Sequence, residues 1–254
     1  MILAVDVGNT NTVLGCIDQG EILNIVRIQT DVGSTAAEYA IKLGALLEFY
    51  KIDSKSFEGA IISTVVPQIT GALSEAIRLI CGVRAMVVGP GMKTGMNIRL
   101  DDPSTLAGDL VAGSVGAIGC YGVPAIVIDM GTATTMVVID KEGCYRGGAI
   151  VPGVKLSYGA LSSGTSLLPD IAITPPKKAI GSNTVDCMRS GAVFGTAGML
   201  DGMIDRFQEE LGYECRLVAT GGLARGIIPC CRHEIIFDDD LLLKGLWMLY
   251  EKNK

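Results

Sequence analysis

The sequence predicts an α/β protein made of two related domains, each built on a mixed sheet. Two observations support this prediction. A short pattern occurs at residues 4–12 and again at residues 128–135: an apolar strand, an acid, a glycine, and then hydroxyl and amide side chains. Around each copy lies the same order of elements, three consecutive strands followed by alternating helices and strands. We therefore predict a duplicated fold, with domains at residues 1–115 and 116–254.

The individual elements follow from hydrophobic periodicity. A strand is predicted wherever apolar residues alternate or run continuously over a short stretch, and a helix wherever they recur every three or four positions. The predicted strands are residues 2–7, 12–17, 21–29, 59–66, 85–88, 125–129, 135–139, 145–150 and 215–219. The predicted helices are residues 36–50, 70–80, 154–161, 185–211 and 240–252, with a short glycine- and alanine-rich helix before residue 122.

Composition agrees with two folded domains. The chain has 254 residues, of which 49% are hydrophobic, so it can build a substantial core. The net charge is −6, and lysine and arginine form no run, which disfavours a nucleic-acid or membrane surface. Residues 110–128 are uncharged, but Pro124 interrupts them, so we expect a helix and a strand there and not a membrane span. Because no basic segment precedes the first apolar stretch, we expect no signal peptide.

The cysteines do not indicate a disulfide framework. The chain has eight of them, and none forms a CxxC pair. Cys230, Cys231 and His233 are the one cluster with the character of metal ligands, but they lack a fourth ligand at usable spacing. We expect reduced, mostly buried thiols in a cytoplasmic protein.

The repeated pattern predicts a pair of phosphate-binding loops. We align Asp6 with Asp129, Gly8 with Gly131, and Thr12 with Thr135. A hairpin turn lined with small polar groups presents N–H and O–H donors to phosphate oxygens, and a nearby carboxylate can hold the Mg²⁺ that accompanies a nucleotide. Two such loops predict a nucleotide bound in a cleft between the two domains.

Other catalytic devices have less support. His233 is the only histidine, so a Ser-His-Asp or Cys-His mechanism has no supporting motif. Residues 89–94 are glycine-rich but fit neither the GxxxxGK[ST] nor the GxGxxG pattern. Gly221 and Gly222 follow a predicted strand, where a nucleotide base or ribose can approach the backbone. A strand-to-helix turn that needs a positive φ explains these two glycines equally well.

At this point the chain resembles the type III pantothenate kinases. The resemblance is carried, in order and over nearly the whole chain, by residues 6–15, 129–135, 147–153, 168–169, 181–184, 219–224 and 245–251. It implies the fold shared by acetate kinase, sugar kinases, Hsp70 and actin, with two ribonuclease-H-like domains. It also implies a cytoplasmic homodimer that uses ATP to phosphorylate pantothenate, the first step of coenzyme A synthesis, with Mg²⁺ and a monovalent cation, K⁺ or NH₄⁺.

The resemblance also implies roles for individual residues. Asp109 would be the catalytic base, although without the resemblance it is better explained as an acid stabilised at a helix start. Asp6 would hold the metal and Asp129 the monovalent cation. The implied nucleotide-binding residues are Asp6, Val7, Gly8, Asn9, Thr10, Asn11, Thr12, Val13, Thr132, Gly221 and Gly222. The implied acceptor-binding residues are Ala107, Gly108, Asp109, Leu110 and Thr184.

The acceptor-binding region departs from the family pattern. Leu110 stands where the family has an arginine expected to bind the pantothenate carboxylate, and leucine cannot replace a bidentate cation. Leu100 replaces a tyrosine and Val137 an acid, while Arg99 or Lys155 are candidates to supply the missing charge. Two functions therefore stay open. The first is pantothenate phosphorylation. The second is a relative that binds nucleotide and acts on another alcohol, or through a partner as a transcriptional accessory protein.

Overall fold

The structure is a computed structural model that describes all residues, Met1–Lys254. The chain divides into two compact units. The first unit comprises Met1–Met96, Asp101–Gly119 and Asp240–Lys254, and the second comprises Asn97–Leu100 and Cys120–Asp239. These units differ from the predicted ranges 1–115 and 116–254 in two ways. Residues 97–100 belong to the second unit, and the last helix packs on the sheet of the first unit.

The elements agree closely with those predicted from periodicity. The strands are β1 (Ile2–Val7), β2 (Asn11–Asp18), β3 (Glu21–Gln29), β4 (Gly59–Thr64), β5 (Ala85–Val87), β6 (Asn97–Ile98), β7 (Ala125–Met130), β8 (Ala133–Ile139), β9 (Cys144–Pro152), β10 (Arg216–Thr220) and β11 (Ile236–Phe237). The α-helices are α1 (Ala36–Phe49), α2 (Pro67–Cys81), α3 (Gly108–Tyr121), α4 (Val154–Ser163), α5 (Thr184–Ser190), α6 (Thr196–Leu211), α7 (Ala224–Ile227) and α8 (Leu241–Asn253).

The sheet of the first unit has the strand order β3-β2-β1-β4-β5. β1, β2 and β3 form an antiparallel meander, while β4 runs parallel to β1 and β5 parallel to β4. Alternate residues of β1 face opposite sides: Leu3 and Val5 pack under α1 and α2, whereas Ile2 and Ala4 pack under α3 and α8. The period of two along the strand therefore gives this sheet a core on each face.

Small residues let α3 and α8 approach each other closely. A side chain at Gly116 would lie 2.5 Å from the carbonyl oxygen of Leu241, and one at Gly245 would overlap the carbonyl oxygen of Ala112. The glycine- and alanine-rich sequence predicted for this helix thus serves close packing between two helices. No helix of the structure combines the length and the apolar character needed to cross a bilayer.

The sheet of the second unit repeats that of the first, strand for strand. Its order is β11-β10-β7-β8-β9-β6, so β9-β8-β7-β10-β11 corresponds to β3-β2-β1-β4-β5. The burial patterns of β1 and β7 are identical. The predicted duplication is therefore present in the topology. The extra strand β6 comes from residues 97–98 and lies parallel to β9.

Three features of the second unit differ from the sequence prediction. The predicted helix at residues 185–211 is two α-helices, α5 and α6, joined by a π-helical turn at Gly191–Gly195. The two-residue strands β6 and β11 and the one-turn helix α7 were not predicted. Elements this short contain too few residues to show a period, and tertiary pairing alone creates them.

Candidate functional site

The first predicted phosphate loop (residues 8–10, the first loop) closes the hairpin between β1 and β2. Val7 pairs with Thr12 across the hairpin, and the N–H of Gly8 donates to the carbonyl oxygen of Asn11 at 3.0 Å. The side chains of Asn9, Thr10 and Asn11 are exposed. The loop thus presents amide and hydroxyl groups to solvent, as expected for a loop that meets phosphate oxygens.

A buried threonine outside the predicted set anchors this loop. Thr30 follows β3, and its N–H donates to the carbonyl oxygen of Thr10 at 3.0 Å. Its hydroxyl donates to the carbonyl oxygen of Gly8 at 2.7 Å and lies 3.0 Å from the hydroxyl of Thr12. Thr12 and Val7 are themselves buried, so they lie beneath the loop and not at its exposed surface. Val13 is half-buried and faces the same side of the sheet as Asp6.

The second predicted phosphate loop (residues 131–132, the second loop) joins β7 to β8. The N–H of Gly131 donates to the carbonyl oxygen of Ala133 at 3.0 Å, just as the N–H of Gly8 donates to the carbonyl oxygen of Asn11 in the first loop. Gly153, the residue after β9, donates its N–H to the carbonyl oxygen of Thr132 at 2.9 Å. A Cβ atom at Gly153 would overlap the carbonyl oxygens of Gly131 and Thr132. The loop therefore lies so close to the backbone of Gly153 that no side chain fits between them.

The strand registers correct one part of the sequence alignment. Thr12 lies opposite Val7, and the residue opposite the equivalent Met130 is Thr134. Both threonines are buried. Thr12 therefore corresponds to Thr134 and not to Thr135, because the second loop is one residue shorter than the first. A sequence alignment without gaps could not reveal this difference in length.

In the second unit, the turn formed by Gly221 and Gly222 lies beside Asp129. β10 pairs with β7 so that Thr220 lies opposite Asp129. Gly221 has a φ of +96°, and a Cβ atom there would lie 2.7 Å from the backbone of Met130 and 2.8 Å from Oδ1 of Asp129. Gly221 is thus required both by its conformation and by the close approach of the chain to Asp129. Gly222 is exposed beside it, as is Thr132 of the second loop.

In the first unit, α3 begins directly over the ends of β1 and β4. Ser63 is the register partner of Asp6, so both side chains face α3. A Cβ atom at Gly108 would lie 3.4 Å from Oγ of Ser63 and 3.3 Å from Val88, which fixes the start of the helix on the sheet. The hydroxyl of Ser63 is buried and has no hydrogen-bond partner. Sequence reasoning missed Ser63, because its position beside Asp6 depends on the pairing of β1 with β4.

Asp109 lies in the first turn of α3, and its carboxyl group is partly buried. Burial raises its pKa, and a hydrogen bond from the N–H of Leu110 to Oδ1, at 2.8 Å, partly opposes this effect. A carboxylate with a raised pKa suits a general base. Its neighbours differ in role: the carbonyl of Ala107 accepts the N–H of Val111 as the helix begins, and Leu110 is half-buried.

The other predicted acceptor residues lie in the second unit. Thr184 is the exposed first residue of α5, after Asn183, whose side chain caps the helix by accepting the N–H of Asp186 at 2.9 Å. Arg99 and Lys155 are both exposed. A Cβ atom at Gly147 would lie 3.5 Å from the side chain of Leu100, so Leu100 packs over this glycine.

Val137 is buried in β8 and belongs to the protein core. An acid at this position would be desolvated, so packing in the core and not ligand binding accounts for the valine.

The cysteine and histidine cluster is part of the fold. Nε2 of His233 is 2.8 Å from Oδ1 of Asp205, and the buried carboxylate of Asp201 accepts the N–H groups of Arg232 and His233. Burial and the nearby Asp201 raise the pKa of Cys231 to about 12, which makes this thiol inert. No three His, Cys, Asp or Glu side chains in the structure form a metal-binding group. None of the eight cysteines forms a disulfide; three are buried, and Cys120 and Cys187 are exposed, so the thiols are less buried than predicted.

Comparison with known proteins extends this description. The model of the type III pantothenate kinase family matches residues 2–206. A solved structure from Campylobacter jejuni, described as a conserved Baf family transcriptional activator, is similar with a TM-score of 0.60 and 19% identity, covering 98% of this chain and 97% of that chain. Component A of (R)-2-hydroxyglutaryl-CoA dehydratase from Acidaminococcus fermentans is similar with a TM-score of 0.57 and 15% identity, covering 98% and 96%.

A sugar kinase also has this fold. The inorganic polyphosphate/ATP-glucomannokinase from Arthrobacter sp. strain KM is similar with a TM-score of 0.51 and 14% identity, covering 99% of both chains. At these identities the likenesses concern the fold, and they confirm the predicted actin-like α/β fold with two ribonuclease-H-like domains.

Proposed function

Since the chain belongs to the type III pantothenate kinase family, we propose that it transfers the γ-phosphoryl group of ATP to the primary hydroxyl of pantothenate. The product would be 4'-phosphopantothenate, and the reaction would be the first step of coenzyme A synthesis. Kinase activity, with use of ATP and a divalent metal ion, follows from the family and the fold. The observation that carries the proposal lies within the first unit, where Asp6, the first loop and the partly buried Asp109 all meet the same end of one sheet.

The residues at the first loop fit a magnesium–phosphate group. Asp6 is partly exposed at the end of β1, and the exposed side chains of Asn9, Thr10 and Asn11 follow it. Carboxylate, amide and hydroxyl oxygens are ligands that Mg²⁺ accepts, often together with water and phosphate. Asp6 would hold the metal ion, which neutralises charge on the phosphates when it is bound.

The residues around Asp129 fit a monovalent cation. A Cβ atom at Gly221 would lie 2.7 Å from the carbonyl oxygen of Met130 and 2.8 Å from Oδ1 of Asp129, so a carbonyl oxygen and a carboxylate oxygen both lie next to this turn. We infer that this group of oxygens would hold K⁺ or NH₄⁺ and that Thr132, exposed on the second loop, would contact the nucleotide.

Asp109 would act as the general base. The N–H of Leu110 holds its Oδ1 atom, so the Oδ2 atom is the one that would accept the proton of the acceptor hydroxyl. Phosphoryl transfer passes through a loose transition state, so the protein mainly positions the reacting groups and stabilises charge. Gly108 contributes to this positioning, because its lack of a side chain allows the first turn of α3 to rest on Ser63 and Val88.

A second candidate function is favoured by the leucine at position 110. A charge-assisted hydrogen bond contributes roughly 1.5–3 kcal/mol, so an acceptor without a carboxylate would suit this site better than pantothenate unless Arg99 or Lys155 supplies the cation. The alternative is therefore phosphorylation of a less acidic primary alcohol. A protein that only binds nucleotide and acts through a partner is less favoured, because it would not need a partly buried base at Asp109.

We also propose a homodimer. Large apolar side chains are exposed on the second unit, among them Ile150, Leu156, Leu167 and Ile180. Sedimentation equilibrium of the purified protein would give twice the monomer mass if these side chains, or others, form a dimer interface. A monomer at micromolar concentration would contradict this part of the proposal.

A coupled assay tests the activity directly. Purified protein would be supplied with Mg-ATP, K⁺ or NH₄⁺, and pantothenate, beside the Asp109→Asn variant. Turnover that requires the cation and is lost in the variant would support pantothenate phosphorylation. If a nucleotide analogue binds but no phosphopantothenate forms even at high substrate concentration, the acceptor assignment is wrong, and other primary alcohols would then be assayed.

A further inference from the structure

We propose that Thr30, which lies outside the family-based site, is a positioning residue that sets the direction of the backbone N–H groups in the first loop toward nucleotide phosphates. The proposal rests on the proposed function only in that the ligand is a nucleotide. Thr30 is buried, so it would act through the loop and not by touching the ligand.

Two hydrogen bonds connect Thr30 to this loop, and a third connects it to Thr12 beneath the loop. Its N–H donates to the carbonyl oxygen of Thr10 at 3.0 Å, and its hydroxyl donates to the carbonyl oxygen of Gly8 at 2.7 Å. The hydroxyl of Thr12 lies 3.0 Å from that of Thr30. One residue therefore holds both ends of the loop, and a second buried threonine fixes the rotamer of the first.

These bonds determine where the loop N–H groups point. In a trans peptide unit the C=O and the N–H point in opposite directions. Because the carbonyl of Gly8 is directed at buried Thr30, the N–H of Asn9 is directed away from it, on the side where the Asn9 side chain is exposed. The carbonyl of Thr10 is likewise directed at Thr30, so the N–H of Asn11 is directed away from it. Backbone N–H groups held in this way form the kind of concavity that binds anions.

The second loop shows that the hydroxyl is a distinct feature of the first. Gly153 occupies the position equivalent to Thr30, since each is the first residue after the third strand of its meander, and each donates its N–H to a loop carbonyl. Gly153 has no side chain, and a Cβ atom there would overlap two loop carbonyls. The residue equivalent to Thr30 in the second unit therefore supplies no hydroxyl to its loop.

The test compares Thr30→Val, which keeps the shape of the side chain but removes the hydroxyl, with Thr30→Ser, which keeps the hydroxyl. Thr35→Val is the matched control: it removes a threonine hydroxyl that caps α1 through Glu38, so it lowers stability without touching the loop. Calorimetry would measure the Kd of a magnesium complex of a non-hydrolysable ATP analogue and, separately, of adenosine.

We expect Thr30→Val to weaken binding of the analogue about tenfold and to leave adenosine binding unchanged, because only the phosphates meet the loop. Thr30→Ser should stay within about twofold of the unsubstituted protein, and Thr35→Val should bind normally despite a lower unfolding temperature. In the kinase assay, the KM for ATP should rise with Thr30→Val while the KM for the acceptor stays constant.

Analogue binding by Thr30→Val at the unsubstituted affinity would overturn the proposal. So would an equal loss with Thr35→Val, because the effect would then be one of stability alone. If Thr30→Val does not fold, Thr30→Ala removes the same hydroxyl without placing a new methyl group against Gly8, and it is judged by the same criterion. Absence of turnover on pantothenate, with analogue binding intact, would refute the acceptor assignment while leaving the test of Thr30 valid.

Discussion

In the first unit, the loop after β1 is held from below by side-chain hydroxyl groups, those of Thr12 and Thr30. In the second unit, the corresponding loop lies directly on the backbone of Gly153, with no room for a side chain. The strands on which the two loops stand are paired and buried in the same way. The two units therefore share their strand framework but differ in what supports the loop. The first loop depends on hydrogen bonding, and the second depends on close packing.

The surroundings of the two loops differ as well. The first loop shares its end of the sheet with α3, which supplies Asp109 and the buried hydroxyl of Ser63. The second loop shares its end with the turn at Gly221, whose backbone lies close to the carboxylate of Asp129 and the backbone of Met130. We therefore expect proton transfer to depend on the first unit and cation binding on the second. Five sets of experiments test these differences.

The largest effect is expected at Asp109. Asp109→Asn should lower kcat by about 10²- to 10⁴-fold, the usual contribution of a general base. Asp129→Asn should instead raise the concentration of K⁺ needed for half-maximal activity. Steady-state kinetics at several K⁺ concentrations would measure both. If Asp129→Asn alone abolished turnover at saturating K⁺, the proposed division of roles would fail.

Because the pKa of Asp109 is raised, both the activity and the stability of the protein should depend on pH. The base must be ionised to accept a proton, so activity should fall as the pH drops through a pKa above the ordinary aspartate value of about 3.9. A carboxyl group whose pKa is higher in the folded state makes folding less favourable when it is ionised. Asp109→Asn should therefore raise the unfolding temperature at pH 7, and this gain should disappear below the pKa of the unfolded carboxyl group. An unfolding temperature that is lowered at pH 7 would contradict burial as the cause.

Next in size is the effect of a methyl group at the second loop. Gly153→Ala places a Cβ atom on two carbonyl oxygens, and such overpacking typically costs about 1–3 kcal/mol of unfolding free energy, with this backbone clash at the upper end. Gly131→Ala is the matched control, because the nearest atom to its Cβ position is 3.6 Å away. Urea denaturation would measure both. Equal stabilities would show that the second loop does not depend on close packing.

A smaller effect should report on the acceptor. If pantothenate is the acceptor, Leu110→Arg should lower its KM by about tenfold through a new charge-assisted hydrogen bond to the carboxylate. Leu110→Met changes the side chain without adding charge and should leave the KM within about twofold. A KM for pantothenate that is unchanged or higher in the arginine variant would favour a less acidic alcohol.

The smallest effect is expected at the buried serines of the first unit. Ser63 and Ser114 each bury a hydroxyl group without a hydrogen-bond partner, and burying such a group costs about 1–3 kcal/mol. Alanine at either position should therefore keep or slightly raise the unfolding free energy, by about 1 kcal/mol at most. Only Ser63 lies beside Asp6, so only Ser63→Ala should also alter kcat. A loss of stability at Ser63 would mean that its hydroxyl is satisfied in solution, for example by a buried water.

Much of the protein could be read directly from its sequence. Alternation of apolar residues gave the strands of both meanders to within a residue or two, since a strand that buries one or both faces must have that pattern. The acids and glycines at Asp6, Gly8, Asp129 and Gly131 identified both hairpin turns, which the structure forms between β1 and β2 and between β7 and β8. The role proposed for Asp109 came from the family resemblance.

The tertiary structure decided the features that depend on pairing between distant segments. The equivalence of Thr12 with Thr134 requires the hairpin registers, since one loop is a residue shorter than the other. The assignment of α8 to the first unit reflects which sheet face it covers, which periodicity within the helix does not specify. Thr30 and Gly153 lie far along the chain from most of the atoms they hold, and only the fold of each meander brings them beneath the loops. Local patterns determine which elements form, whereas contacts between elements determine what supports the site.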